Sequence, residues 1–452
     1  MSIRLKKILG PSEILVVSFG ALILLGTGLL ALPIMQGPAP VSFLDSLFTA
    51  TSAVCVTGLI TVDTPTAWSG GGQALICLLF QLGGLGIMTF STAMLYMAGL
   101  KPGLTSHLAL SGALGSAPAG DMGRLTRNVV LYTLILEGVG AAALTLRFAG
   151  DYPWGQALAL GVFHAISAFC NAGFSLFSTS LESYAGDPAV NLIVMALIVL
   201  GGLGFLVLSE LIGRIRGRGR GRNPRLSLHT RLVLATSGIL LLGGAAVLWC
   251  LEYWSGGDVS FGFWQALFAS VTARTAGFDT VAMDKLSNAS LLVIIALMFI
   301  GASPGSTGGG VKTTALATLF ATARTRLKGL SGANIFHRGI SDKQVGEALT
   351  LIACSLLVVM LAVVVLAVLE VNGASHGHAR ANVLAHAFEA VSAFATVGLS
   401  MGVTSGLSAG GKLVLIVLMF VGRLGPLTFI YALIRRSHTP RHQPAQERIM
   451  LG

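Results

Sequence analysis

Charge is scarce in this sequence. Asp, Glu, Lys and Arg together supply 10% of its 452 residues, where a water-soluble chain carries about 25%. That deficit excludes a large protein folded in water around one buried core. Cysteine is scarce as well. Five residues, an odd number in no paired spacing, exclude a disulfide framework and a zinc pattern. Cys55 and Cys170 read as small apolar packing residues. The nine histidines do not gather as metal ligands: His376 and His378 share one loop, and His438 and His442 lie near the C-terminal end. No Ser/His/Asp set and no carboxylate pair is placed for catalysis. The chain therefore reads as a non-enzyme, with no covalently bound cofactor.

What the sequence has in plenty is apolar length. Hydrophobic residues make up 54% of it, and runs of about 20 recur from end to end, the signature of membrane-spanning helices. The first run, Ile14 to Met35, exceeds the apolar core of a cleaved signal peptide, about 7–15 residues, and reads as a retained span. Most of the 29 Lys and Arg fall in the N-terminal segment, three inter-span loops and the C-terminal tail. "RIRGRGRGRNPRLSLHTR" (Arg214 to Arg231) holds seven of them. Interrupted by glycine and set between spans, it reads as a cytoplasmic loop and not as a nucleic-acid site. Asp63, Asp151, Glu182, Asp187 and Asp258 lie in the opposite loops. Both termini are then expected in the cytoplasm of a multi-pass inner-membrane protein, with an even number of spans.

One unit recurs four times. "SAVCVTGL" ends at Gly58–Leu59, "SAFCNAGF" at Gly173–Phe174, "VTARTAGF" at Gly277–Phe278 and "SAFATVGL" at Gly398–Leu399. Each follows a span and about ten residues of helix-forming character, and each precedes a second apolar run. Those second runs match too: Gly83-Gly84-Leu85-Gly86, Gly201-Gly202-Leu203-Gly204, Gly301-Ala302-Ser303-Pro304 and Gly422-Arg423-Leu424-Gly425. The units are residues 1–100, 101–213, 214–330 and 331–452. The expected fold is all-α and membrane-integral, with four repeats of span, short helix, glycine break and span, and about eight spans.

A short helix of some 11 residues reaches about 17 Å, roughly half of a 30 Å hydrocarbon core. It must enter and return, and its unpaired peptide groups survive only when buried in protein or facing water. Four such loops around one axis meet that condition together. Each short helix points its negative end at the axis, where it favours a cation. The candidate carbonyl donors are Val56, Thr57 and Gly58; Asn171, Ala172 and Gly173; Thr275, Ala276 and Gly277; and Thr396, Val397 and Gly398, with potassium as the ion held. Leu59, Phe174, Phe278 and Leu399 are expected to pack behind them. Arg274, inside the third loop, is expected to turn outward and anchor it.

"GASPGSTGGGVKTT" (Gly301 to Thr314) is not a phosphate loop, because Val311 separates Gly310 from Lys312. Its glycines and proline should break a helix at mid-membrane depth and place a flexible loop, Gly305, Ser306, Thr307, Gly308, Gly309 and Gly310, under the four glycine breaks. Lys312 and Arg423 are the cations least expected in their surroundings. Arg423 either sets an electrostatic barrier on the axis and pairs with this loop, or snorkels and caps carbonyls. Lys312 has the same two readings. Glu389 reads as stabilised by a place near the start of the fourth short helix.

The four glycine breaks, "GASPGSTGGGVKTT" and "GRLGPLT" resemble the Ktr/Trk/HKT superfamily of potassium transporters, in its Ktr membrane-subunit branch, over nearly the whole chain. The resemblance implies a pseudo-fourfold pore of four linked channel-like motifs and potassium uptake, often stimulated by sodium. It implies that the glycine-rich loop is an intramembrane gate. It further implies a homodimer seated on a cytosolic nucleotide-binding regulatory ring (KtrA-like), which the basic segments Arg214 to Arg231 and Arg324 to Lys343 would face. In this superfamily a serine at the first filter position tends to accompany sodium transport, and Gly58 stands there. None of the four loops carries a full TVGYG, so fewer carbonyl rings are expected. Two rivals stay open: a potassium-binding subunit of an ATP-driven pump, and a secondary transporter of a small solute.

Overall fold

Long and short apolar helices alternate along the chain. The computed structural model describes residues 11–97, 119–218, 226–256, 261–329, 333–336, 338–370 and 382–426. Helix α1 (Pro11–Leu30) is followed by the short α2 (Phe43–Val54) and then α3 (Gly70–Met97). The succession returns as α4 (Ala119–Phe148), α5 (Trp154–Cys170) and α6 (Pro188–Leu203), which continues into α7 (Phe205–Arg218). It returns again as α8 (Leu228–Ser255), α9 (Phe263–Thr272) and α10 (Asn288–Phe299), followed by α11 (Thr313–Leu327). The last set is α12 (Asp342–Leu369), α13 (Val383–Ala395) and α14 (Ala409–Leu424).

Among the described residues, five helices are long and apolar enough to cross a membrane: α1, α3, α4, α8 and α12. The bent pair α6 and α7 makes a sixth. The protein is thus a mostly helical membrane protein. The short helices α2, α5, α9 and α13, of 12, 17, 10 and 13 residues, extend about 15–26 Å and do not cross alone. Helices α2, α6, α8, α10, α12 and α14 each start on a serine or aspartate whose side chain accepts a first-turn N–H. This satisfies donors that lipid cannot.

Each long helix packs on the short helix that follows it, as the α1–α2, α4–α5, α8–α9 and α12–α13 pairs show. The sets then interlock: α3 packs on α5, α6 on α9, α10 on α13, and α14 returns to α2. That last contact carries an ion pair between Lys412 and Asp45 (2.8 Å). A polar clasp ties the end of the long helix, or in the first set the 3-10 turn that follows it, to the start of the third helix. Ser69 Oγ donates to the Ile34 carbonyl (2.8 Å). Arg147 pairs with Asp187, the N-cap of α6, at 2.5 Å. Glu252 accepts from the Ser287 backbone N–H and hydroxyl (3.0 and 2.8 Å). Glu370 accepts from the Ser408 N–H and hydroxyl (3.1 and 2.7 Å). Near the clasps, Phe43, Trp154, Tyr253, Trp254 and Trp264 are exposed, the aromatic pattern of a membrane interface.

The structure departs from the sequence reading in three places. α1 stops at Leu30, and not near Met35, because Pro33 opens a separate 3-10 turn, Pro33–Met35. The second apolar runs differ among themselves: α10 and α11 are separated by residues 300–312, as expected, but α6 and α7 meet at 106° without a proline or a long glycine run, while α3 continues through its own glycines. The all-α expectation misses one antiparallel hairpin, Ala333–Ile335 with Arg338–Ile340, whose three-residue strands are too short for an alternation pattern to show.

Candidate ion pathway

The four glycine breaks share one backbone conformation. Two residues before each glycine the chain is left-handed, at Val56 (φ 56°), Asn171 (φ 58°), Thr275 (φ 76°) and Thr396 (φ 51°). It is positive again at Gly58 (90°), Gly173 (69°), Gly277 (81°) and Gly398 (96°). Three of the first set are β-branched, for which positive φ is a true outlier. A positive φ at a non-glycine residue recurs at the same place in all four copies, and backbone strain of this kind clusters at functional sites. The intervening N–H groups turn back: Thr57 and Ala172 donate to Ser52 and Ser167 carbonyls (2.8 and 2.7 Å), and Ala276 and Val397 to Thr272 and Ser392 carbonyls (2.9 Å each).

The loops meet in cyclic order. A Cβ built on Gly58 would overlap the Ala172 carbonyl oxygen, and one on Gly173 would lie 2.8 Å from that of Ala276. On Gly277 it would overlap Val397 oxygen, and on Gly398 the Thr57 oxygen. The glycines therefore stand where neighbouring backbones touch, most tightly at Gly58, Gly277 and Gly398. Of the twelve candidate donors, Thr57, Ala172, Ala276 and Val397 each place a carbonyl oxygen beside the glycine of the preceding loop. Leu59, Phe174, Phe278 and Leu399 are buried behind the loops, and Phe174 stacks on Phe80 at 5.9 Å.

Above the glycines lies a cavity of about 570 Å³, lined by Gly58, Gly173, Gly277, Gly398 and the acidic residues Asp63, Glu182, Asp279 and Asp284. Below them the chain between α10 and α11 forms a buried floor. A Cβ on Gly308 would overlap Thr275 Oγ1, and one on Gly309 would overlap Thr396 Oγ1. The floor is held on several sides. Ser303 N–H donates to the Gly202 carbonyl (3.1 Å), Thr307 N–H to that of Gly201 (3.3 Å), and Phe205 N–H to that of Gly305 (3.0 Å). Ser306 Oγ donates to the Ser303 carbonyl (2.6 Å) and accepts from Gly308 N–H (3.3 Å). Gly310 is left-handed (φ 67°) and turns the chain back toward α11. Arg423 donates to the Thr307 carbonyl and, at 3.1 Å, to that of Gly83. It pairs with the loop, and both acceptors are backbone. Lys312 Nζ folds back onto the Gly308 carbonyl (2.7 Å).

Two single-residue expectations meet different outcomes. Arg274 turns away from the loops and donates to Ser237 Oγ on α8 (3.3 Å). Glu389 is not near a helix start: it sits in mid-α13, fully buried. Its carboxylate accepts from Ser400 Oγ (2.6 Å), Met401 N–H (3.1 Å) and Thr404 Oγ1 (2.7 Å), so it ties the chain beyond Gly398 to its short helix. His164 does the same in the second set, contacting Ser175 Oγ at 3.0 Å and accepting from Leu176 N–H at 3.3 Å.

The sequence reading missed the hydroxyls that fix the loops. Ser52 Oγ accepts from Gly58 N–H (3.0 Å) and Ser392 Oγ from Gly398 N–H (3.1 Å). Ser167 Oγ donates to the Phe174 carbonyl (2.8 Å), and Thr272 Oγ1 to that of Phe278 (2.5 Å). A signal was available: a serine six residues before the glycine in three of the four copies.

The TrkH family, described as cation transport protein, matches residues 10–442. The chain is 37% identical to the Ktr system potassium uptake protein B of Bacillus subtilis (strain 168), over 97% of this chain and 96% of that one. It is 35% identical to the potassium/sodium uptake protein NtpJ of Enterococcus hirae, over 100% and 99%. The crystal structure of the potassium transporter TrkH from Vibrio parahaemolyticus superposes with a TM-score of 0.70 at 20% identity, covering 94% of this chain and 84% of that one. A family model matched from residue 10 to residue 442, together with relatives 37% and 35% identical over nearly the whole chain, shows that the chain belongs to the TrkH family of cation transport proteins.

Proposed function

We propose that this protein carries potassium into the cell by channel-like conduction through the ring of loop carbonyls. The observation that carries the proposal is the cyclic closure of the four loops, glycine against the next loop's carbonyl, directly beneath the acidic cavity. Twelve backbone oxygens, from Val56–Gly58, Asn171–Gly173, Thr275–Gly277 and Thr396–Gly398, replace the hydration shell of a dehydrating ion. Four short-helix C-termini, at α2, α5, α9 and α13, add their negative ends. Four units, residues 1–100, 101–213, 214–330 and 331–452, surround a pseudo-fourfold axis with about eight spans in the cytoplasmic membrane, both termini in the cytoplasm. Closely similar proteins named for potassium uptake and for potassium/sodium uptake support the choice of ion.

The floor formed by Gly305 to Gly310 is the gate, latched by Arg423 and braced by Lys312. A cytosolic nucleotide-binding ring moves the latch, and the working unit is a homodimer. The decisive experiment is rubidium uptake into proteoliposomes without ATP. Uptake down its gradient, competed by potassium and not by sugars or amino acids, is expected. An absolute need for ATP would instead identify a pump subunit, and transport of an organic solute a secondary transporter. Repeating the assay with and without sodium tests stimulation.

The mouth supplies a pH test. Asp279 follows the third loop and lines the cavity. Burial, reinforced by the nearby charge of Glu182 and partly offset by a hydrogen bond with Ser180, pushes its carboxyl up to about 7. Above that pH it is charged and draws cations to the mouth; below it the charge is lost. Uptake at subsaturating rubidium should fall about 2–3-fold as external pH drops from about 8 to about 6. Asp279→Asn should sit at the low level at both pH values. A wild-type slope retained in the variant would exclude Asp279 as its source.

A further inference from the structure

A polar cluster behind the second loop is used by none of the steps above. Glu137 stands at the midpoint of the apolar stretch Thr126–Phe148 of α4 and is 4% exposed. A charge at that depth is expensive unless paired, and among the described residues the ion pairs do not include it. Its neighbours come from two other helices. Gln81 on α3 donates Nε2–H to Glu137 Oε2 (2.8 Å). Cys170, the last residue of α5, donates its S–H to Gln81 Oε1 (3.0 Å). Cys170 Sγ also lies 3.7 Å from Glu137 Oε1.

Hydrogen counting decides what this cluster is. A thiol has one hydrogen, and of its two acceptors Gln81 Oε1, at 3.0 Å against 3.7 Å for Glu137 Oε1, is the one it serves. The Glu137–Cys170 contact must then take its hydrogen from Glu137. With that proton in place each of the three groups donates once and accepts once, and the ring closes. Without it, a buried carboxylate oxygen faces a sulfur with no hydrogen to offer, an unmet desolvation cost. We propose that Glu137 is a neutral carboxylic acid whose hydrogen-bonded ring with Gln81 and Cys170 positions the second filter loop.

The link to the loop is short. Cys170 immediately precedes the left-handed Asn171, and its Sγ is pressed against α3 at Gly84, 3.1 Å from where a Cβ would sit. The other titratable groups facing the cluster are Cys77 on α3, whose thiol interacts with Glu137, and Cys170 itself. Arg423 is engaged with the Gly83 and Thr307 carbonyls. Glu137 is thus a positioning residue for selectivity and touches no ion.

The role in selectivity rests on the pore reading, so the test separates the two. Purified, reconstituted protein should show, at neutral pH, the infrared C=O stretch of a protonated carboxylic acid that disappears in Glu137→Gln. In the same vesicles Glu137→Gln, which can still donate to Cys170 and accept from Gln81, should keep rubidium-over-sodium discrimination within about twofold of wild type. Glu137→Ala and Cys170→Ala should each lower it about tenfold, and the double variant no further than the worse single one. A missing band overturns the proposal, as does Glu137→Gln as damaging as Glu137→Ala, or Glu137→Ala with intact discrimination. If Glu137→Ala does not assemble, the band, Glu137→Gln and Cys170→Ala still decide. Wild-type protein that shows no selective rubidium uptake would defeat the pore reading, while the infrared band would still report on Glu137.

Discussion

Gly398→Ala should abolish rubidium uptake, at least about 100-fold, whereas Gly173→Ala should leave a conducting pore with weakened discrimination. The two glycines hold equivalent places, so the difference comes from their surroundings. At Gly398 the new methyl group would overlap the Thr57 carbonyl oxygen, and the backbone stands at φ +96°, outside the small left-handed region open to L-residues. Either the methyl displaces the Thr57 oxygen or the loop leaves its conformation. At Gly173 the backbone is at φ +69°, and the methyl would lie 2.8 Å from the Ala276 oxygen and 3.0 Å from Gly277 Cα. The neighbouring backbone must shift to admit it, on top of a left-handed strain of about 1–2 kcal/mol, but the overlap is smaller than at Gly398. Since about 1.4 kcal/mol is a factor of ten, potassium-over-sodium discrimination should fall about tenfold there. Uptake and sodium competition in vesicles, with size-exclusion profiles to confirm assembly, measure both. Equal effects at the two positions would show that the ring contacts do not set selectivity.

Arg423→Gln should raise rubidium flux about tenfold in vesicles that lack any partner subunit. The guanidinium joins the Thr307 carbonyl of the floor to the Gly83 carbonyl of α3, and it is 4% exposed. Glutamine is too short to span the two carbonyls and carries no charge. Each charged hydrogen bond lost is worth about 1.5–3 kcal/mol, so forfeiting even one shifts a closed-to-open balance by a factor of ten or more. Removing a buried positive charge from beneath the glycine loops acts in the same direction. The floor is not wholly freed, because Thr307 Oγ1 still donates to the Phe169 carbonyl (3.3 Å). Flux that stays at the wild-type level, with regulation by a partner intact, would remove Arg423 from the gate. Flux that falls would make it a structural brace.

Much of this site is visible in the sequence because it rests on residue types that few positions tolerate. Glycine six residues after a serine, and glycine pairs in the second runs, recur where backbones touch. Gly83, Gly201 and Gly422 each stand where a Cβ would overlap the carbonyl of Val54, Phe169 or Phe394 at the end of a short helix. What the sequence hides are the side chains that differ between copies while doing the same work. His164 and Glu389 tie the chain beyond the glycine in two sets. Arg147, Glu252 and Glu370 clasp helix ends in three. Glu252 and Glu370 match, each holding an N-cap serine, but Arg147 in their place and His164 against Glu389 do not, so an alignment of the four copies reveals only the one Glu–Ser pair.

By itself the sequence determined that the chain lives in a membrane, that it is built from recurring span and glycine-break segments, and where the strained loops fall. Those properties follow from local composition: apolar length, and positions where only glycine avoids a clash. The tertiary structure alone decided which partners close the ring, and which glycine bends a helix. Gly86 and Gly204 occupy the same motif, yet α3 runs straight and the chain turns by 106° at Gly204. The difference lies outside both motifs: the Phe205 N–H is captured by the Gly305 carbonyl of the floor. A helix keeps its own hydrogen bonds unless a neighbour from elsewhere in the chain offers a replacement, and only the folded protein says where that neighbour is.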